Sequence, residues 1–331
     1  MFYFPAARRE IETIVYQSRR RFLSQGAALA VVAAAGSRTA HAAEKISFSF
    51  QRSSALLLIM RQQGHLAKAF ADRGLTIEWN EFTRIVDAMT ANAVDFHGDV
   101  ADAVPVFAQA AGAPLSYYAL ENDSPHAEAI IVRATSAIRS VADLRGKTVA
   151  VSKGSGCHYL LLRALGRAGL QFTDISPVYL EAAGGSAAFE SGSVDAWTIW
   201  DPYLAIAQNR QPIRVLTDGA GLTGYKRYYM VSAAFAAKHP DLVQLVFDAL
   251  VKAGSWIRTN PDEAATVLAP FWGGIPASVI KVINSRRSYD VRAVDAAALM
   301  EQQALADAFA AAHLVPGQLA VKDVAVWHPA R

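Results

Sequence analysis

The run VSKGSGCHYLLLRAL, residues 151–165, stands between a β-branched strand pattern and a leucine-rich helix pattern. Gly154, Ser155 and Gly156 permit a tight turn at the start of a helix, which leaves backbone N–H groups unpaired at the positive end of the helix dipole. Such an end suits a small anion, and Ser155 and His158 can add side-chain donors. A nucleotide is a poor occupant, because the Lys-Ser/Thr pair that a phosphate loop needs at its helical end is replaced by Cys157 and His158. The plainer alternative is a capping Ser155 and a surface histidine. Cys157 beside His158 also has the ingredients of a thiol nucleophile and its base. Sequence neighbours rarely face each other on a helix, so Cys157 is read as packing and no catalytic residue is assigned. The eight histidines show neither H-x-x-x-H nor H-E-x-x-H spacing, and neither a metal nor a cofactor is expected.

Two further clusters carry polar chemistry. In WTIWDPY, Trp197 and Trp200 flank an apolar step before Asp201 and Tyr203, a pattern that fits Trp197 inside and Trp200 on the wall of a cleft. In VDFHGDVAD, the crowded Asp95, His97, Asp99 and Asp102 read mostly as solvated loop acids or caps. Asp102, just before a helix, can instead face a cleft, with Arg84 of EFTRIVD supplying a cation to the same pocket.

The elements that must hold these groups alternate between strand and helix, which points to α/β architecture with mainly parallel sheets. KISFSFQ is a strand, ALLLIMRQQGHLAKAFADRG one helix ending at Gly74, LTIEWNEF a strand and VDAMTANAVD a helix. AEAIIVR, KTVAVS, ISPVYL and IRVLTDG are strands around the helix that starts near Cys157. Asp201-Pro202 has the cap-then-proline signature of a helix start. From Tyr228 onward the segments read as longer helices.

The amino-terminal segment reads as an export leader. It has an arginine cluster, an apolar run from Ala27 to Ala35 and a small-x-small end at Ala40-His41-Ala42. The apolar run is shorter than the ~20 residues a membrane span needs. Ser18-Arg19-Arg20-Arg21-Phe22-Leu23 resembles the twin-arginine signal, with cleavage expected before Ala43. Six of the 32 Lys and Arg fall in residues 1–42, against two of the 29 Asp and Glu, which leaves 26 basic and 27 acidic residues. Nucleic acid is therefore not an expected partner. With Cys157 as the single cysteine there is no intrachain disulfide, and none stands at the leader's end to carry a lipid. The expected location is a periplasm.

Beyond these motifs, the chain resembles the aliphatic-sulfonate-binding proteins of ABC importers, within the nitrate, sulfonate and taurine group. The resemblance runs from about Lys45 to Pro329. It is carried by VFAQAAGA, SVADLRGKTVAVSKGSGCHYLLLRALGRAGL, TDISPVYL, AAFESGSVDAWTIWDPYLAIA, IRVLTDG, and the tail from LVP to VWHP. It implies a class II periplasmic-binding-protein fold, two α/β lobes with the ligand cleft between them. The expected segments are the leader at 1–42, lobe 1 at 43–128, lobe 2 at 129–222 and a return to lobe 1 at 223–331. Carried over by position, Gln51, Asp102, Ser155, His158, Trp200 and Asp201 line the cleft; Gly156 and Arg84 join them as expected ligand-binding residues from the readings of the loop and of the charges above. The implied partners are a small organic anion, a membrane permease and its ATPase, and the implied state is a monomer. Arg52 and Thr83-Arg84-Ile85-Val86 depart from the family's usual lysine and Gly-Pro loop. A larger sulfonate, taurine, a sulfate ester or nitrate therefore stay open as ligands, as does an enzyme built on Cys157.

Overall fold

The computed structural model describes residues 44–82 and 84–330. The leader expected over residues 1–42 lies outside them. In chain order the strands are β1 (Glu44–Phe50), β2 (Leu75–Glu81), β3 (Phe96–Ala101), β4 (Leu115–Glu121), β5 (Glu128–Arg133), β6 (Thr148–Val151), β7 (Ser176–Tyr179), β8 (Ala196–Trp200), β9 (Ile213–Asp218), β10 (Arg227–Ser232), β11 (Val291–Arg292) and β12 (Ala325–Val326). They form two sheets, one ordered β11-β4-β10-β3-β1-β2 with β12 also on β4, the other β7-β6-β8-β5-β9. The chain passes between the sheets twice, through residues 122–127 and 219–226. Among the described residues no helix is long and apolar enough to cross a membrane.

The expectation of mainly parallel sheets needs one amendment. In the five-stranded sheet β5 runs antiparallel to both of its neighbours, β8 and β9. In the larger sheet β10 runs antiparallel to both β3 and β4. Each is the first strand after a passage between sheets, so it starts at the edge where its neighbours end. The carboxyl ends of β1, β3, β6, β7 and β8 and the amino ends of β5 and β10 thus share one gap, the usual ligand site of open α/β sheets.

Alternation builds β1, with Ile46, Phe48 and Phe50 buried, and Phe48 stacks on Phe96 of β3 at 4.6 Å between ring centroids. Helix Pro240–Thr259 covers this sheet with Leu242, Val243, Val246, Phe247 and Leu250, a stripe at helical spacing. Three local expectations change. The helix after β1 is two, Ala55–Gln63 and His65–Ala71, because Gly64 adopts φ 69° between them. VDFHGDVAD is not a solvated loop: most of it is β3, buried throughout. The segment after Arg227 begins with the buried strand β10 before any helix.

Candidate functional site

A cavity of about 560 Å³ opens where those strand ends meet. The loop after β6 forms one wall. Gly154 there has φ 75°, and a Cβ on it would meet the Phe107 ring at 3.0 Å. Ser155 caps helix Gly156–Arg167, its Oγ accepting from His158 N–H at 3.2 Å and donating to the Ser152 carbonyl at 2.7 Å. The hydroxyl is thus committed to holding the turn. The donors left over are the backbone N–H groups of Gly156 and Cys157, which have no acceptor among the described residues. A helix start points such groups outward along its axis, and Gly156 borders the cavity. Gly156 is required for space: a Cβ would lie 2.6 Å from the Tyr225 ring and 3.0 Å from Ala101 Cβ.

Gln51, Arg84, Ser155, Gly156 and Trp200 all border this cavity. Gln51 follows β1, and Trp200 ends β8 with its ring edge-on to Tyr203 at 5.8 Å, while Trp197 is buried. Arg84 is exposed and pairs with Asp87 at 2.7 Å, so it sits on the rim and not at the base. Apolar side chains, among them Ile85, Val86, Val104 and Phe107, complete the wall on that side.

Three expected residues lie outside this lining. His158 is fully buried, its Nδ1 accepting from Gly154 N–H at 3.2 Å and its ring packed against Phe172 and Phe309. Burial, assisted by Lys153, lowers its pKa to about 4, so it braces the loop as a neutral ring and offers no charge to a ligand. Asp102 borders a different space, with Lys226, Glu301 and Gln302, and burial raises its carboxyl to about 7. Asp201 borders an adjoining space with Ser53, Tyr225 and Arg227, pairs with Arg286 at 3.3 Å, and accepts from Ala205 N–H at 3.0 Å. Arg286 also donates to Gln208 at 2.7 Å, tying helix Ala277–Arg286 to helix Tyr203–Arg210.

Burial raises the Asp201 carboxyl to about 7 against the opposing pull of Arg286 and the Ala205 amide. The native chain then keeps, up to about pH 7, a proton that the unfolded chain releases near pH 4. Between those values the native state binds more protons, so stability falls as pH rises through the window. Asp201→Asn should flatten that fall by up to one proton in a series of melting curves from pH 4 to 8. An unchanged slope would remove Asp201 from the account.

Sequence reasoning missed Tyr225 and Arg227, which form the cavity floor. Tyr225 has φ 47°, a conformation costing a side-chain residue about 1–3 kcal/mol, and its ring is held between Gly156 and the Arg227 guanidinium. The signal was present in RYYMVS, whose aromatic and β-branched residues favour a strand. Cys157 is buried, and its thiol is pushed well above its usual range by burial first and by Glu128 second. With a neutral His158 beside it, no thiolate–imidazolium pair forms here.

Residues 67–264 match the family described as NMT1/THI5 like. The chain is 37% identical over 290 residues to a putative aliphatic sulfonates-binding protein of Escherichia coli, covering 86% of this chain and 89% of the relative. A Bacillus subtilis protein of the same description is 30% identical over 226 residues, 67% of this chain and 68% of the relative. Among solved structures, the alkanesulfonate-binding protein of Xanthomonas axonopodis pv. citri bound to MOPS superposes with a TM-score of 0.80 at 35% identity. That match covers 86% of this chain and 98% of the other.

Proposed function

The chain belongs to the NMT1/THI5-like family, alongside the aliphatic-sulfonate-binding proteins, and from that premise we propose that it is the periplasmic substrate-binding component of an ABC importer for an aliphatic sulfonate. The observation that carries the reading is the pair of unaccepted N–H groups at Gly156 and Cys157, on a helix end that borders the cavity between the two sheets. A sulfonate stays anionic at any physiological pH and presents three acceptor oxygens. An anion at a helix start gains about 0.3–2 kcal/mol from the dipole, in addition to charge-assisted hydrogen bonds. Gln51 and Trp200 stand on the same gap, and the tail lies along Ile85, Val86, Val104 and Phe107. At about 560 Å³ the cavity has room for an organic tail beyond the sulfonate head.

Closure of the two lobes, at 43–128 with 223–331 and at 129–222, about the passages between the sheets would exclude water and strengthen the contacts to the head. The protein acts as a monomer, exported by the twin-arginine leader without a lipid anchor, and presents its cargo to a permease and its ATPase. Cell fractionation tests the location: replacing Arg19 and Arg20 by Lys should hold the precursor in the cytoplasm.

Titration calorimetry of the mature protein with C2 to C8 alkanesulfonates, taurine and nitrate tests the function. One-to-one binding to an alkanesulfonate is expected, and absence of heat with every sulfonate at millimolar concentration would refute it. Cys157→Ser separates this reading from a thiol enzyme on the same fold. The variant should keep sulfonate affinity within about threefold, under 1 kcal/mol, because the buried side chain does not reach the ligand.

A further inference from the structure

The base of the cavity holds a charged group that the sulfonate reading above does not use. Arg227, at the start of β10, is 4% exposed and borders the cavity. Its Nη1 donates to the Tyr225 hydroxyl at 3.0 Å, and its Nη2 donates to Ser53 Oγ at 3.3 Å and to Asp99 at 3.2 Å. The Nε–H has no acceptor among the described residues. A buried guanidinium N–H without a partner is costly, and such groups mark places where a further acceptor belongs.

Asp99 does not neutralise Arg227 alone. The same carboxylate oxygen accepts from Arg287, which also pairs with both oxygens of Glu121, so two guanidinium groups and two carboxylates share one buried cluster of zero net charge. Asp99 Oδ1 is left over as well, which balances the spare donor of Arg227 with one spare acceptor. Burial raises the carboxyl of the neighbouring Asp102 to about 7 and pushes that of Glu128 well above its usual range. The Arg227 guanidinium lies over the Tyr225 ring, 5.6 Å from its centroid, and the other part of that ring abuts Gly156. One aromatic ring therefore separates the free helix amides from the only buried guanidinium nitrogen without an acceptor among the described residues.

We propose that Arg227 is the counter-cation of the ligand head, which rests on the cavity floor formed by Arg227 and Tyr225 and against the first-turn amides of helix Gly156–Arg167 on the adjoining wall, and that this pairing selects singly charged tetrahedral oxyanions. The selectivity follows from the charge balance. The cluster is neutral before binding, so the helix end and one partly freed guanidinium offset a single negative charge, and the second charge of a phosphate monoester finds no partner. A neutral sulfone gains the tail contacts but none of the electrostatic ones.

The test rests on the sulfonate reading and separates its failure from that of the reading. Calorimetry at pH 8 compares 1-hexanesulfonate, hexyl phosphate as the dianion, and hexyl methyl sulfone, against the mature protein, Arg227→Gln, Arg227→Lys and the charge-balanced double variant Asp99→Asn/Arg227→Gln. The unaltered protein should bind the sulfonate at least about 30-fold tighter than either analogue, and Arg227→Gln should lose about 30- to 300-fold for the sulfonate while the sulfone is unchanged. Arg227→Lys should recover part of that loss. If Arg227→Gln does not fold, the double variant carries the same expectation, since it leaves no unpaired acid behind. Sulfonate affinity retained within threefold in either variant, or equal affinity of the unaltered protein for sulfonate and sulfone, overturns the assignment of Arg227 alone. No binding of any sulfonate by the unaltered protein overturns the transport reading and this proposal with it.

Discussion

Gly156→Val should cost at least about a hundredfold in sulfonate affinity, close to 3 kcal/mol. A Cβ at this position would lie 2.6 Å from the Tyr225 ring and 3.0 Å from Ala101, and the valine methyls project further still. The clash can be relieved only by backing the helix end away from the base of the cavity, and forcing extra methyl groups into a packed site itself costs about 1–3 kcal/mol. The free amides move with the helix, and each charge-assisted hydrogen bond they would make is worth about 1.5–3 kcal/mol. Gly166→Ala is the control in the same helix: nothing lies within 4 Å of a Cβ there, so affinity should be unchanged. Helix propensity should make that control more stable by about 0.5–1 kcal/mol. Calorimetry on both variants decides the matter. A folded Gly156→Val protein with native affinity would show that this helix end does not hold the ligand.

The largest expected effect on stability comes from Arg287→Met. Arg287 is a single guanidinium serving Asp99 and Glu121, both fully buried. Removing it leaves two carboxylates with one partner, Arg227, which reaches only Asp99. Breaking one side of a buried ion pair typically costs about 3–5 kcal/mol, which for a domain of this size lowers the melting temperature by on the order of 10 °C. Tyr229 also donates to Glu121, so the loss spreads into β10 and β4 together. The exposed Arg84–Asp87 pair offers the contrast: Arg84→Ala should change stability by less than about 1 kcal/mol. Thermal melts that put the two variants within 2 °C of each other would contradict the cluster's role.

What could be seen before the structure followed from what each residue does locally. The helix start at Ser155-Gly156 was legible because glycines and a cap residue write their conformation into the sequence. The placement of Trp197 in the interior and Trp200 on the gap follows from strand alternation across β8. The acids of VDFHGDVAD were misread because sequence shows the cost of burying Asp99 but not the two arginines that offset it, 128 and 188 positions further on. His158 was misjudged for a related reason. A histidine one turn into a helix is equally compatible with facing the ligand or turning under the loop, and only the packing of Phe172 and Phe309 around it decides. Arg227 escaped notice because a charged residue opening a buried strand violates the alternation by which strands are recognised, and such violations cluster at functional sites.

The position of β10 has a consequence for how this chain is made. It is hydrogen-bonded between β3 and β4, so the larger sheet has no continuous middle until Ser232 has left the ribosome. All five strands of the smaller sheet precede it, from Glu128 to Asp218. A nascent chain can therefore finish its inserted half first, while the earlier half waits as a three-stranded group, β1 to β3, and a separate strand β4 with bare edges. Stalling translation at points that leave residue 232 just inside and just outside the ribosome, and comparing protease resistance of the emerged chain, would reveal when that wait ends.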